Sequence, residues 1–195
     1  RYAEPQFLTT STLKIQGSKN SSTDKIDISR LGMGISGDND IKSEPTIILS
    51  RPILEAVANN LNLHVAFFSI GNVKELELYQ NAPYTGKIIS IKDPSNFSKE
   101  EYTITPVGHN SYRISGTPGV HRFKTPVQMS FGVIQIDVKA GTSVKDPIKV
   151  LFSSTDHIAR RLEKQIKAII LEKKGGLMEL SLTGPKKKKK KNILT

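Results

Sequence analysis

The stretch from Glu44 to Tyr79 constrains the fold more than any other, because its hydrophobic period changes inside it. Ile47, Ile48, Leu54, Val57 and Leu61 recur at helical spacing, with Arg51, Glu55, Asn59 and Asn60 mostly opposite. Val65–Ser69 then turns β-branched and aromatic, the composition of a strand. Gly71-Asn72 marks a turn, and Val73–Tyr79 alternates again, so the two runs read as a hairpin. Pro52 lies within the helical pattern. Its ring removes an N–H donor and clashes with the preceding turn, so it must kink or divide the helix, with Ser50 as cap of the second piece. Ser43 suits the cap of the first.

Before this stretch, Gln6–Gln16 alternates as a strand, with Phe7, Thr9, Ser11, Leu13 and Ile15 on one face. A polar loop from Gly17 to Asp40 follows, with Asp27–Leu31 as a short strand within it. The loop contains Gly32-Met-Gly-Ile-Ser-Gly37, a formal GxGxxG. That motif holds a pyrophosphate when a helix starts at once. Here Asp38-Asn39-Asp40 intervenes and would repel the phosphate, so a glycine loop is the better reading.

After Pro83, strand-like runs recur at short spacing: Lys87–Ile91, Tyr102–Pro106, Ser111–Ser115, Val133–Val138 and Ile148–Phe152. Turn signals separate them, which predicts an antiparallel β subdomain over 83–152. Tyr102–Thr105 and Ser111–Ser115 form a hairpin in this reading, and Phe123–Gly132 an edge segment. Ser153-Ser-Thr-Asp156 caps a helix with Ile158, Leu162 and Ile166 inward. Lys167–Glu172 and Leu177–Thr183 then flank Gly175-Gly176 as a second hairpin, and Pro185 opens a last helix containing Lys186–Lys191.

The formal charge of +11 invites a nucleic-acid reading. More than half of it is the run Lys186–Lys191, and the remainder of the chain, about +5, has its charges interspersed. The basicity therefore reads as a solvated tail, and nucleic acid is not the expected partner. With no Cys, the chain can form neither a disulfide nor a thiolate metal site. His64, His109, His121 and His157 stand on separate elements without metal-ligand spacing. No GxSxG, HExxH or Walker A pattern occurs. Glu75 and Glu77 read as part of a solvated charge mix, and Phe67, Phe68 and Tyr79 as core rather than as a sugar platform. The expectation is a chain without catalytic residues, cofactor or metal. No run of about 18 apolar residues is present, and Arg1–Glu4 reads as a cut inside a longer polypeptide.

Two blocks carry a family resemblance. Ile48-Leu-Ser-Arg-Pro-Ile-Leu-Glu-Ala-Val57 with Leu61-Asn-Leu63 is similar to a helix near the start of the periplasmic domain of chain-length determinant (Wzz-type) polysaccharide co-polymerases. Gly176-Leu-Met-Glu-Leu-Ser-Leu-Thr-Gly-Pro185 resembles the strand that precedes their long periplasmic helix. The run Val65–Pro83 resembles the version found in exopolysaccharide and capsule proteins of the tyrosine-autokinase type, which carry a β-rich insertion where 83–152 lies here. The lysine run departs from the family's mixed-charge helix start. The resemblance implies an α+β fold: an α/β domain from 1–82 and 153–195 with a mixed sheet packed on helices, plus the antiparallel β insertion. It implies first and last strands in one sheet, and membrane helices outside the chain on both sides. It implies a location on the periplasmic face of the bacterial inner membrane. The implied partners are further copies in a homo-oligomeric ring and the polysaccharide polymerase and export machinery; any kinase would lie outside this chain. Arg51, Glu55 and Asn59, on the outer helix face, are the expected oligomer contacts. A carbohydrate-binding role for the β insertion and nucleic-acid binding by the basic tail are the alternatives.

Overall fold

In a computed structural model, the structure describes residues 7–14, 44–71, 75–142, 146–172, 177–184 and 187–194. The chain divides into two compact units, Arg1–Ile53 with Gln165–Thr195, and Leu54–Lys164. The second unit thus takes in more than 83–152: the strands after Val65 and the helix after Ser154 belong to it.

In the first unit, β1 (Phe7–Lys14), β12 (Leu177–Gly184) and β11 (Ile166–Glu172) form one sheet in the order β1-β12-β11. The pairing of β1 with β12 is antiparallel and unbroken, from Phe7 opposite Gly184 to Lys14 opposite Leu177. Ser11 faces Leu180, so the first and last strands are neighbours. β11 and β12 are antiparallel, as the second hairpin reading expected. Period-two burial puts Met178, Leu180 and Leu182 inward. Its described part also holds α1 (Glu44–Ile48), α4 (Lys187–Leu194) and the first turn of the helix that starts at Arg51.

Pro52 divides the helical pattern as expected: α1 ends at Ile48 and α2 (Arg51–Asn60) begins two residues beyond Leu49. Ser50 precedes α2, but its buried hydroxyl has no hydrogen-bond partner, so it does not cap the helix through its side chain. The boundary between the units falls within α2.

The second unit is a two-sheet β-sandwich. One sheet has the order β3-β2-β10-β5-β6-β7: β3 (Leu76–Glu77), β2 (Val65–Ser69), β10 (Ile148–Ser153), β5 (Lys99–Val107), β6 (Ser111–Ile114) and β7 (His121–Arg122). The other has the order β4-β9-β8, from β4 (Tyr84–Ile91), β9 (Gly132–Val138) and β8 (Pro126–Gln128). The core lies between the sheets. Phe67, Ile104, Tyr112, Val150 and Phe152 come from the first, and Tyr84, Ile134 and Ile136 from the second. Burying such side chains stabilises the unit by roughly 1.5–3 kcal/mol each. Rings join the layers. Phe131 meets Phe97 at 4.5 Å and Phe152 at 5.4 Å, and Phe123 stacks between Tyr84 at 5.6 Å and Tyr112 at 4.8 Å. Gly86 is where β4 approaches β2, since a Cβ there would stand 2.8 Å from Val65 Cγ1. α3 (Thr155–Gln165) buries Ile158, Ala159 and Leu162, and its N-terminus is capped by Ser154 Oγ, which accepts from His157 N at 3.1 Å.

The α+β expectation with a mixed sheet packed on helices is overturned. Every strand pair among the described residues is antiparallel, in three sheets, with 48% strand and 24% helix. The reasons are local. A parallel neighbour needs a long crossover, whereas β11 and β12 are joined by a short link rich in glycine. Pro52 leaves helical pieces of 5 and 10 residues, too short to cover a sheet face alone. Of the strand expected over Val73–Tyr79, Val73 and Lys74 lie outside the described residues; the part that is described forms a strand at Leu76–Glu77 and ends there, because Tyr79 takes a positive φ of 43° and opens a 3-10 turn through Asn81. The strand expected over Asp27–Leu31 and the Gly32–Gly37 loop lie outside the described residues, as do the turns at Gly71-Asn72 beyond Gly71 and at Gly175-Gly176.

Candidate functional site

Three places carry polar side chains in arrangements that bear on function. The first is the junction of β1, β12 and α4. Antiparallel pairing from Phe7 to Gly184 means that the chain enters β1 and leaves β12 at the same end of the sheet. Lys190 of α4 closes that end. It is 4% exposed, and its Nζ donates to Gly184 O at 2.7 Å and to Phe7 O, 5.5 Å from the Phe7 ring centroid. A buried ammonium is costly unless hydrogen-bonded, and the first carbonyl of β1 and the last of β12 supply the acceptors. The basic run is therefore not wholly the solvated tail its composition suggests: Lys190 is buried, while Lys191 is exposed.

The second is α2. Arg51, Glu55 and Asn59 stand at successive turns, Arg51 and Asn59 exposed and Glu55 half-buried. Asn59 Oδ1 lies 2.9 Å from Nε2 of His64, whose Nδ1 lies 3.3 Å from Ser153 O, so Asn59 is tied to the end of its own helix.

The third is the outward face of the six-stranded sheet. Lys149 stands on β10 between two carboxylates, Glu75 at 2.5 Å and Glu101 at 3.2 Å. Its ammonium is held above the usual lysine range, first by the Glu75 hydrogen bond, against a partial desolvation. Further along the face, Thr105 is opposite Arg113 and Ser111 opposite Arg122. A shallow cleft of about 430 Å³ opens there over Thr103, Thr105, Arg113, Ser115 and Thr117. A second cleft of about 350 Å³ lies over Phe97 and Phe131, rimmed by Lys92, Asp93, Asn96 and Glu100, but both rings are over nine-tenths buried and stacked on each other.

The histidines stay apart. His121 Nε2 meets Thr117 Oγ1 at 2.9 Å, His157 Nδ1 meets Ser98 Oγ at 3.2 Å, and His109 is exposed in the β5–β6 turn. Burial, and then the charges of Arg161 and Lys99, push His157 below the usual imidazole range. Among the described residues no group of three His, Cys, Asp or Glu side chains could hold a metal. Glu75 belongs with Lys149 rather than with Glu77 as a pair, and Phe67 is core as expected, while Phe68 is half-buried on the outward face. The Arg113–Arg122 surface was missed by sequence reasoning. Its signal was the alternation Tyr-Thr-Ile-Thr and Tyr-Arg-Ile, which turns Thr103, Thr105 and Arg113 away from the core.

No protein-family model matches the sequence, and no curated protein matches it.

Proposed function

We propose that this chain is the periplasmic domain of a membrane-anchored polysaccharide co-polymerase, a non-enzymatic module that sets the chain length, or supports the export, of an exopolysaccharide or capsule. The observation that carries the reading is the antiparallel pairing of β1 with β12. A domain held to one surface by segments on both sides needs its two ends together, and this pairing brings them together at one end of a sheet. The resemblance of Ile48–Leu63 and Gly176–Pro185 to the co-polymerase blocks supports it independently; the described residues of those blocks fall on the end of α1 and on α2, and on β12. In this reading the fold need not be helical: the sheet gathers the ends, and the β-sandwich is a module between them. Arg51, Glu55 and Asn59 on α2 would contact a neighbouring copy in a ring.

The test is genetic. Inactivating the gene in its host should change the size distribution or the amount of a surface polysaccharide, and a plasmid copy should restore it. An unchanged polymer profile overturns the reading.

A further inference from the structure

The β5–β6–β7 end of the six-stranded sheet presents cations that no acid among the described residues neutralises. Alternation sends Tyr102, Ile104, Tyr112 and Ile114 into the core, so Thr103, Thr105, Arg113 and Arg122 share the outward face. Arg122 stands opposite Ser111, two positions from Arg113, and such diagonal neighbours lie about 7–8 Å apart. Both guanidinium groups therefore serve one strip of surface.

These groups are uncommitted. Among the described residues neither Arg113 nor Arg122 has an ion-pair partner, and the hydroxyls of Thr103 and Thr105 make no hydrogen bond. The rest of the cleft is occupied: Ser115 Oγ accepts from Thr103 N at 2.8 Å, and Thr117 Oγ1 is held by Ile114 O and His121. The contrast lies on the same face, where Lys149 takes up both Glu75 and Glu101. Glu75 and Glu101 are held by Lys149, which stands opposite Thr103 on the β10 side, and the two arginines lie on the β6–β7 side.

The geometry points to a binding strip for an acidic glycan, in which Arg113 and Arg122 pair with carboxylates of uronate residues and Thr103 and Thr105 bond sugar hydroxyls. A guanidinium matches a carboxylate through two parallel N–H···O bonds. The cleft is open and lined without any aromatic side chain. A neutral sugar would find no ring to stack on, and single-stranded nucleic acid would lack the stacking platforms that carry most of its non-specific affinity beyond charge. Charge recognition of a carboxylated chain remains. This assignment rests on the polysaccharide reading above, which it supplies with a ligand class.

Calorimetry on the chain with three probes tests it: oligogalacturonate, dextran of similar length, and oligothymidylate. Oligogalacturonate should bind, and binding should weaken as salt rises. R113Q should weaken it about tenfold and R113Q/R122Q further, whereas K87Q, on the other sheet, should leave it unchanged. Unchanged thermal melting of the variants keeps folding out of the result; both arginines are exposed, so none is expected to shift. Dextran binding as tightly, oligothymidylate binding with the same arginine dependence, no uronate binding, or uronate binding indifferent to both arginines each overturns the assignment. Any of these outcomes beside an altered polymer in the gene inactivation removes the strip and leaves the co-polymerase reading; an unaltered polymer removes that reading whatever the calorimetry gives.

Discussion

Replacing Tyr112 by Phe should stabilise the β-sandwich, although the residue is fully buried. Tyr112 sits on β6 with no exposure, stacked on Phe123 at 4.8 Å. Its hydroxyl has no hydrogen-bond partner. A buried hydroxyl without a partner has lost its water bonds, which costs about 1–3 kcal/mol. Phe keeps the ring contacts and removes that cost, so a gain of about 1 kcal/mol is expected, after allowance for loss of ring-edge contacts. For a unit of this size, that corresponds to a melting-temperature rise of about 4 °C. The pH dependence gives a second readout. Burial pushes the Tyr112 phenol up to about 12 from an ordinary 10.0. The folded state holds the proton where the unfolded chain has released it, so stability is complete below pH 10 and falls as pH rises toward 12. The loss from this group is about 1.4 kcal/mol per pH unit in that window. Urea unfolding of wild type and Y112F between pH 8 and 11.5 would separate the two effects: the gap should widen with pH. A Y112F protein less stable at pH 8 by 1 kcal/mol or more would mean that the hydroxyl is satisfied, and the reasoning fails.

Three further substitutions, at Gly132 and Ser154, test the frame that positions the candidate surfaces. Gly132 opens β9 opposite Ile91 at φ 158°, and a Cβ there would fall inside the carbonyl oxygen of Ser90. Gly132→Ala should therefore force β4 from β9 and destabilise the second unit by about 2 kcal/mol in chemical unfolding; a change within 0.5 kcal/mol would contradict the close approach. Ser154→Ala removes the acceptor for His157 N and should cost about 1 kcal/mol, with earlier amide exchange in the first turn of α3. Ser154→Asp should restore most of the loss, because a carboxylate both caps and suits the helix dipole.

Much of the β-sandwich could be read from local pattern. Tyr102, Ile104, Tyr112 and Ile114 alternate with polar residues, so β5 and β6 declare both their existence and their buried face. The turn between them, with Gly108 at φ 68°, fixes their register. The α3 cap and the break at Pro52 are equally local. What stayed hidden depends on distant partners. β2 pairs with β10 across the whole insertion, Phe67 opposite Val150, and no feature of VAFFS names that partner. The mixed-sheet expectation came from the family resemblance, and it failed because strand direction is a property of each pairing, such as that of Phe7 with Gly184. Arg113 and Arg122 look like scattered surface charges until β7 pairs with β6. Lys190 was hidden by its own composition, since a lysine within a lysine run reads as solvated unless two strand-end carbonyls come to meet it.

The paired ends of the proposed co-polymerase domain should rise from a bilayer. Alkaline-carbonate extraction of membranes from the host, with the native full-length protein followed by antibody, tests that most directly. The protein should stay in the inner-membrane pellet and be cut by protease added to spheroplasts. Release into the carbonate supernatant, or full protection from external protease in intact spheroplasts, would contradict it.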